Sequence, residues 1–566
     1  MRKGFFEAVA VAGLALATQA HGQADTSLVA GFHDNFNDSE LTLTIFGAEG
    51  TTGTVSNIDG FSEPFSIGPD GFVELELELD DAVIPTDGAM SSTALNVDAS
   101  NPVSALALNR LNATTDLTSL LTQDALGTEY YALGFEGLSS FPSQLSITAV
   151  QDGTEVRFTP ATAFSGYAAG TEHTVTLDAG ESLGLSGSDV TGTQILSDAP
   201  VAVFGGAQCA NVPVGVSACD HLISQNFSVE NWSTDYRVVQ TPQAGADADL
   251  LRVVSATDGN EVFLDGVSQG TIDSGEFLTI DNVGNAHITA SDPIQLGQFM
   301  RGQSGSRALG DPAFSVVPGS DQWLSSYTFA VPTDGADGQA DFAQNFLQVV
   351  ISESAAPSLV LNDAAVDVAD FSAREVLDGF VYGIIPIEGG VGQVSAEENF
   401  LAMISGLDDF DSYLSTIAAA FSTGASDPVP VMLPSEATSS GMPMAMMSVL
   451  GAESLRDRRG GRIVSGGSGE AVVSTRGTSA DQGAGLADGE FWLTMSAVRQ
   501  QPNTDGADLV DSFEQRNSSI RFGYDLPAVN LQGGHVVGGV FLEYADADST
   551  ISSAFGTTGI ETKAWG

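Results

Sequence analysis

The chain has 566 residues, 42% of them hydrophobic, and carries 73 acidic against 18 basic side chains, a formal net charge of −55. That charge excludes nucleic acid and anionic membrane surfaces as electrostatically favoured partners of the folded body. The length points to several domains rather than one. Sixty-four glycines, many Asp-Gly and Asn-Gly turns, and short Val/Ile/Leu/Phe runs predict an all-β chain with little helix. The acidity reads first as a solvated, self-repelling surface suited to a salty exterior. A sharper reading is calcium held by Asp334, Asp337 and Asp341, or by Asp408, Asp409 and Asp411, although neither spacing follows the ordered ligand positions of a calcium loop. No other metal or cofactor is expected.

At the N-terminus, Arg2 and Lys3 precede an apolar run over residues 8–17, and small residues at Thr18/Ala20 or Gly22/Ala24 offer cleavage sites. Residues 1–24 therefore read as a signal peptide, which makes the mature chain an exported one. Next, over residues 72–79, Phe72, Glu74, Glu76 and Glu78 interleave with Val73, Leu75, Leu77 and Leu79. This is the pattern of a strand with a buried apolar face and a solvated carboxylate face.

Faint internal repetition runs from residue 25 to about 421. An Ala/Ser-Asx-Pro step leads into a strand at Asn101-Pro102-Val103, at Asp198-Ala199-Pro200-Val201 and at Asp292-Pro293-Ile294, the prolines lying 98 and 93 positions apart. An Asp-Gly hairpin turn recurs at Asp152-Gly153 and Asp258-Gly259. A third step, Ala179-Gly180-Glu181 against Ser274-Gly275-Glu276, follows it in both copies. Tandem β-sandwich-like modules are the expected architecture, with a propeller as the lesser option because the period is long for one blade.

Residues 197–225 contain the only two cysteines, Cys209 and Cys219. In an oxidising compartment the simplest expectation is that they pair and staple the loop between them. The alternative, half of a metal site, has neither the short knuckle spacing nor an accompanying histidine pair. His221, beside Cys219 and Asp220, is read as a structural histidine. With Trp232 and Tyr236 it marks the candidate binding surface, core packing being the alternative for the two aromatics.

Asp189-Val190-Thr191-Gly192-Thr193, the step from Ser197 to Phe204, Cys209, Cys219-Asp220-His221-Leu222, Trp232 with Tyr236, and Asp311-Pro312, Val317-Pro318 and Gln322 resemble the IgGFc-binding protein N-terminal domain. The resemblance covers about residues 109–421. It implies binding or adhesion outside the cell and carries no catalytic residues. It does not imply that an immunoglobulin is the ligand.

From residue 425 the composition shifts. Pro428, Pro430 and Pro434 break the β pattern, Met442 to Met447 form a Met-rich stretch, and Arg456, Arg458, Arg459 and Arg462 cluster ahead of Gly/Ser-rich sequence. Residues 425–489 read as a linker with a short helix, or as a helix threading a pore. Beyond it, Ile520, Phe522, Tyr524 and Leu526, then Val536, Gly538, Val540, Leu542 and Tyr544, alternate with other residues, as a barrel strand or a half-buried soluble strand would. The stretches 490–494, 520–525, 538–544 and 557–566 resemble the opening strands of an autotransporter outer-membrane β-domain, with residues 442–459 in the place of its pore helix. The resemblance departs in length: about four strands are present where a closed barrel needs at least eight. Either the sequence belongs to a longer protein or the tail is a soluble β module.

Five segments are thus expected: 1–24 signal peptide, 25–108 N-terminal β module, 109–424 IgGFc-binding-like region, 425–489 linker, and 490–566 partial barrel. No Gly-x-Ser-x-Gly elbow, His-Glu-x-x-His helix or phosphate-cradling glycine loop is found. The expected function is that of a bacterial surface-displayed adhesin of autotransporter type, on the outer membrane, with an extracellular protein or glycan as ligand. The alternatives are a polysaccharide hydrolase and an S-layer-like coat protein.

Overall fold

A computed structural model describes residues 25–164, 166–243, 248–303, 309–332 and 342–421, and backbone strands between residues 471 and 565. The expected signal peptide, the pore helix and the Asp334/Asp337/Asp341 cluster lie outside the described residues. The chain divides into two compact units, Met1–Asp427 and Pro428–Gly566.

The first unit builds one antiparallel module four times. Each is organised by a long strand: β1 (Leu95–Leu111), β3 (Gln194–Ala210), β5 (Ala286–Met300) and β7 (Gly390–Asp408). Each long strand turns back into a short last strand: β2 (Thr114–Ser119), β4 (Asp220–Gln225), β6 (Ala313–Val317) and β8 (Asp411–Thr416). The first half of the long strand pairs with the module's opening strand and an outlying hairpin. The second half pairs with another strand and the last strand. The long strand thus crosses between two half-sheets, the corner of a sandwich-like module. The first module runs through Ser119, so the expected boundary at residue 108 falls inside β1.

The proline step does not precede these strands, as expected, but sits inside them. Pro102, Pro200 and Pro293 lie within β1, β3 and β5, where pairing to the opening strand shifts register. Proline is tolerated at such a break because its missing N–H has no ladder partner to lose. The Asp-Gly pairs also differ from expectation. The strands they join, Ser143–Ala149 and Thr154–Thr159, pair with β3 rather than with each other. The turn is instead fastened to the other repeated step: Gly153 N–H donates to Asp178 Oδ1 at 2.9 Å and Ala179 N–H to Asp152 Oδ1 at 3.1 Å. The same pair of bonds joins Gly259 to Asp273 and Ser274 to Asp258.

A repeated buckle holds the bend. Tyr130, Tyr236 and Tyr327 are buried in the opening strands of modules two to four. Each hydroxyl donates to a carbonyl just past the bend, of Val201, Ile294 and Phe400 respectively, and accepts an N–H from three residues upstream. Tyr236→Phe is expected to cost about 2 kcal/mol or more, since it orphans the Ser233 N–H and the Ile294 carbonyl, each worth about 1–3 kcal/mol when buried. Urea unfolding of the full chain measures it.

The four modules close into a ring. β2 lies against β4 and β8, and β6 lies against the same two. Their backbone edges are bridged by side chains of the neighbouring strand: Thr114 Oγ1 accepts from His221 N–H (2.8 Å), Thr118 Oγ1 from Gln225 (3.0 Å), Ser224 Oγ from Val316 (3.1 Å), and Ser315 Oγ from Thr416 (2.9 Å).

In the second unit, strands Ala471–Thr478, Glu490–Gln500, Ser512–Asp525, Gly539–Ser553 and Gly556–Trp565 form a five-stranded antiparallel meander. Among the described residues no helix is long and apolar enough to cross a membrane, which says nothing of a β-barrel.

Candidate functional site

Because each long strand reverses into its last strand at the same end of the ring, four connections lie there, the third of them described at residues 301–303 and 309–312. The first is tight, with Ala113 at φ 65°. The second is the cysteine loop. Cys209 and Cys219 are bonded with Cα atoms 5.2 Å apart, as expected, and Val214, Gly215 and Ser217 between them are exposed. The fourth turn carries Phe410 at φ 59°.

Hydrogen bonds tie these turns across modules. Gly302 N–H donates to the Val212 carbonyl at 3.0 Å, Phe410 N–H to Gln303 Oε1 at 2.8 Å, and Gln303 Nε2 to Asp409 Oδ1 at 3.0 Å. On the other side Gln208 Nε2 donates to the Asn35 carbonyl at 2.9 Å, and the rings of Phe36 and Phe141 meet at 4.5 Å. Val214 (58% exposed), Phe410 (45%) and Phe36 (40%) all stand at this end.

The residues expected to form the binding surface lie elsewhere. Trp232 and Tyr236 are buried, and His221 is completely so. Trp232 donates Nε1–H to the Phe227 carbonyl at 3.0 Å and packs 6.1 Å from the Tyr131 ring, while Tyr236 is one of the buckles. Both aromatics are core residues because the half-sheets must be filled where the long strand bends. His221 is on β4 with Nε2 3.4 Å from Asn109 Nδ2, and burial pushes its pKa down to about 4. Its imidazole is therefore neutral at physiological pH. The signal that separates these roles was present in the sequence: Trp323 and Tyr327 repeat the spacing of Trp232 and Tyr236, and Leu126 and Tyr130 nearly do.

Beneath the face lie buried carboxyls. Asp220, Asp311 and Asp411 each follow one of the turns, directly after Cys219, Gly310 and Phe410. Burial pushes all three up, Asp311 to about 7 and Asp411 to about 8, and Asp220 is raised further by the charges of Asp411 and Asp311. One layer deeper, Asp116 accepts four backbone N–H groups, one from each module: Leu117 and Leu414 on Oδ1, Ile223 and Phe314 on Oδ2. Of the aspartates considered for calcium, Asp411 Oδ2 accepts from Thr115 Oγ1 and Asp409 Oδ1 from Gln303. Among the described residues no three acidic, histidine or cysteine side chains are placed to hold a metal ion.

Comparison with known proteins places this ring in context. The family described as IgGFc binding protein matches residues 116–406, more than half of the chain. The human IgGFc-binding protein is 28% identical over 249 residues, a stretch covering 42% of this chain and 4% of the human protein. The chain thus matches only a small part of that relative's length.

Proposed function

The chain belongs to the IgGFc-binding protein family, and on that premise we propose that it is an exported binding protein whose ligand docks on the turn-bearing end of the four-module ring. The observation that carries this reading is the exposure of Val214, Phe410 and Phe36 at the end of the ring where the turns are cross-linked between modules and one of them is stapled by Cys209–Cys219. Rigid apolar side chains bind with little ordering cost. The ligand is an extracellular protein or its glycan. The C-terminal meander acts as the opening strands of an outer-membrane anchor, so the ring is displayed on the cell surface as an adhesin.

The test is saturable binding of the full chain to immobilised immunoglobulin Fc, the ligand named for the human relative, and to a mucin-type glycoprotein. Val214→Asp with Phe410→Asp is expected to weaken binding at least tenfold while leaving the unfolding temperature unchanged. Binding to either surface that is indifferent to this pair would overturn the assignment of the face. A second reading, hydrolysis of surface polysaccharide, has one observation in its favour. A cleft of about 470 Å³ is lined by Glu40, Glu63, Glu74 and Glu76 with Arg110, and Glu74 is raised by burial and by Glu76. Release of reducing ends that stops on Glu74→Gln would establish that reading instead.

A further inference from the structure

The bridging pattern of the central strands has a gap. Ser224 accepts the N–H of Val316, 92 positions on. The same step takes Asp220 to Pro312, which has no N–H to give. Asp220 Oδ2 is accordingly buried without a hydrogen-bond partner, and so is Asp411 Oδ1. Asp220 is fully buried and Asp411 is 7% exposed. A buried, unpaired carboxylate oxygen is costly, and protonation removes that cost by removing the charge.

We propose that Asp220, Asp311 and Asp411 form a proton-held lock beneath the binding face: the carboxyls keep their protons while the turns are closed, and their ionisation loosens the Cys209–Cys219 loop and the turn before Asp411. The groups facing the lock are Asp116 from β2, Arg110 from β1 and Asp408 from β7, the last two acting on Asp411 in opposite directions; His221 on β4 turns the other way, to Asn109, and acts on His33. Both histidines are held neutral by burial. The lock stands apart from the binding reading, because its test uses no ligand.

Above the ordinary aspartate value of about 4 the unfolded chain has released these protons and the folded chain has not. Stability therefore falls as pH rises from about 4 to about 8. Below about 6.5, His33 and His221 act in the opposite sense, since they are depressed to about 3 and about 4. The clear window is thus pH 6.5 to 8.5. There the folding equilibrium drops by up to about tenfold per pH unit for each carboxyl still holding its proton. His287, raised by its bond to Asp235 at 2.7 Å, contributes in the same direction and must be removed as a control.

The experiment is unfolding of the full chain across pH 6.5–8.5 in a His287→Gln background. Stability is expected to fall with pH, and Asp220→Asn with Asp411→Asn to flatten the slope. Pro312→Ala, which supplies the missing N–H to Asp220, is expected to move the midpoint to lower pH, and it tests the lock should the double variant fail to fold. Infrared difference spectra should show carboxylic-acid C=O absorption at pH 6.5 that is lost at 8.5. An unchanged slope in both variants, no such band, or a slope abolished by calcium alone would overturn the proposal.

Discussion

Replacing Asp116 by alanine is expected to cost more than any other single change in the first unit and to leave little folded protein. The carboxyl accepts N–H groups at 3.0 Å from Leu117, 3.0 Å from Ile223, 3.3 Å from Phe314 and 3.4 Å from Leu414. These donors come from four modules, so one side chain closes the ring. An ionised carboxylate offers about four lone-pair sites, and all are taken. Burial pushes Asp116 well up while the four N–H donors oppose that rise. Alanine leaves four buried donors without acceptors at about 1–3 kcal/mol each, on the order of 4–12 kcal/mol together. Domains are stable by only about 5–15 kcal/mol. Asparagine keeps one acceptor oxygen but turns its amide toward N–H groups, and should fall between wild type and alanine. Soluble yield and urea unfolding of the full chain decide this. A loss below about 1 kcal/mol would mean that the four donors find other acceptors and that Asp116 does not hold the ring.

Asp116 carries no signal of its role in the sequence. The modules were legible because their chemistry recurs: a proline at each bend, an Asp-Gly turn, and a Gly-Glu turn fastened to it. The fourth module was harder to see, since β7 bends without a proline, around Ala396 and Glu397. Asp116 has no repeat at all. The equivalent positions hold Leu222, Ala313 and Tyr413, so one module supplies what all four use, and only closure of the ring brings the donors to it. Trp232 and Tyr236 failed for the converse reason. Read as a single pair they look like interface aromatics, which carry much of the energy where proteins meet. Compared with Trp323 and Tyr327 they are a structural repeat. The exposed Val214 and Phe410 carry no sequence signal beyond hydrophobicity, because their place on the surface depends on turns from different modules packing together.

Opening the sulfur bridge should have the second largest effect. With Cys209 and Cys219 both changed to serine, the loss is expected to be about 3 kcal/mol, from the chain-entropy relation for a loop of this size and a separation of 10 residues. Gly302 N–H on the Val212 carbonyl and Leu138 N–H on the Cys209 carbonyl tie the loop's backbone to neighbouring segments. Cys209, the last residue but one of β3, is inside the core, so the module should keep its sheet while Val214 loses its fixed position. Ligand binding should therefore fall at least tenfold even below the unfolding temperature, and reduction of the wild-type chain should reproduce it. The same change reaches the carboxyls below. Asp220 follows Cys219 directly, and a loosened loop admits water to its unpaired oxygen, which would bring its proton affinity back toward the ordinary range and flatten the pH slope. Retained binding and an unchanged slope in the double serine variant would show that the bridge stabilises the fold without ordering the face.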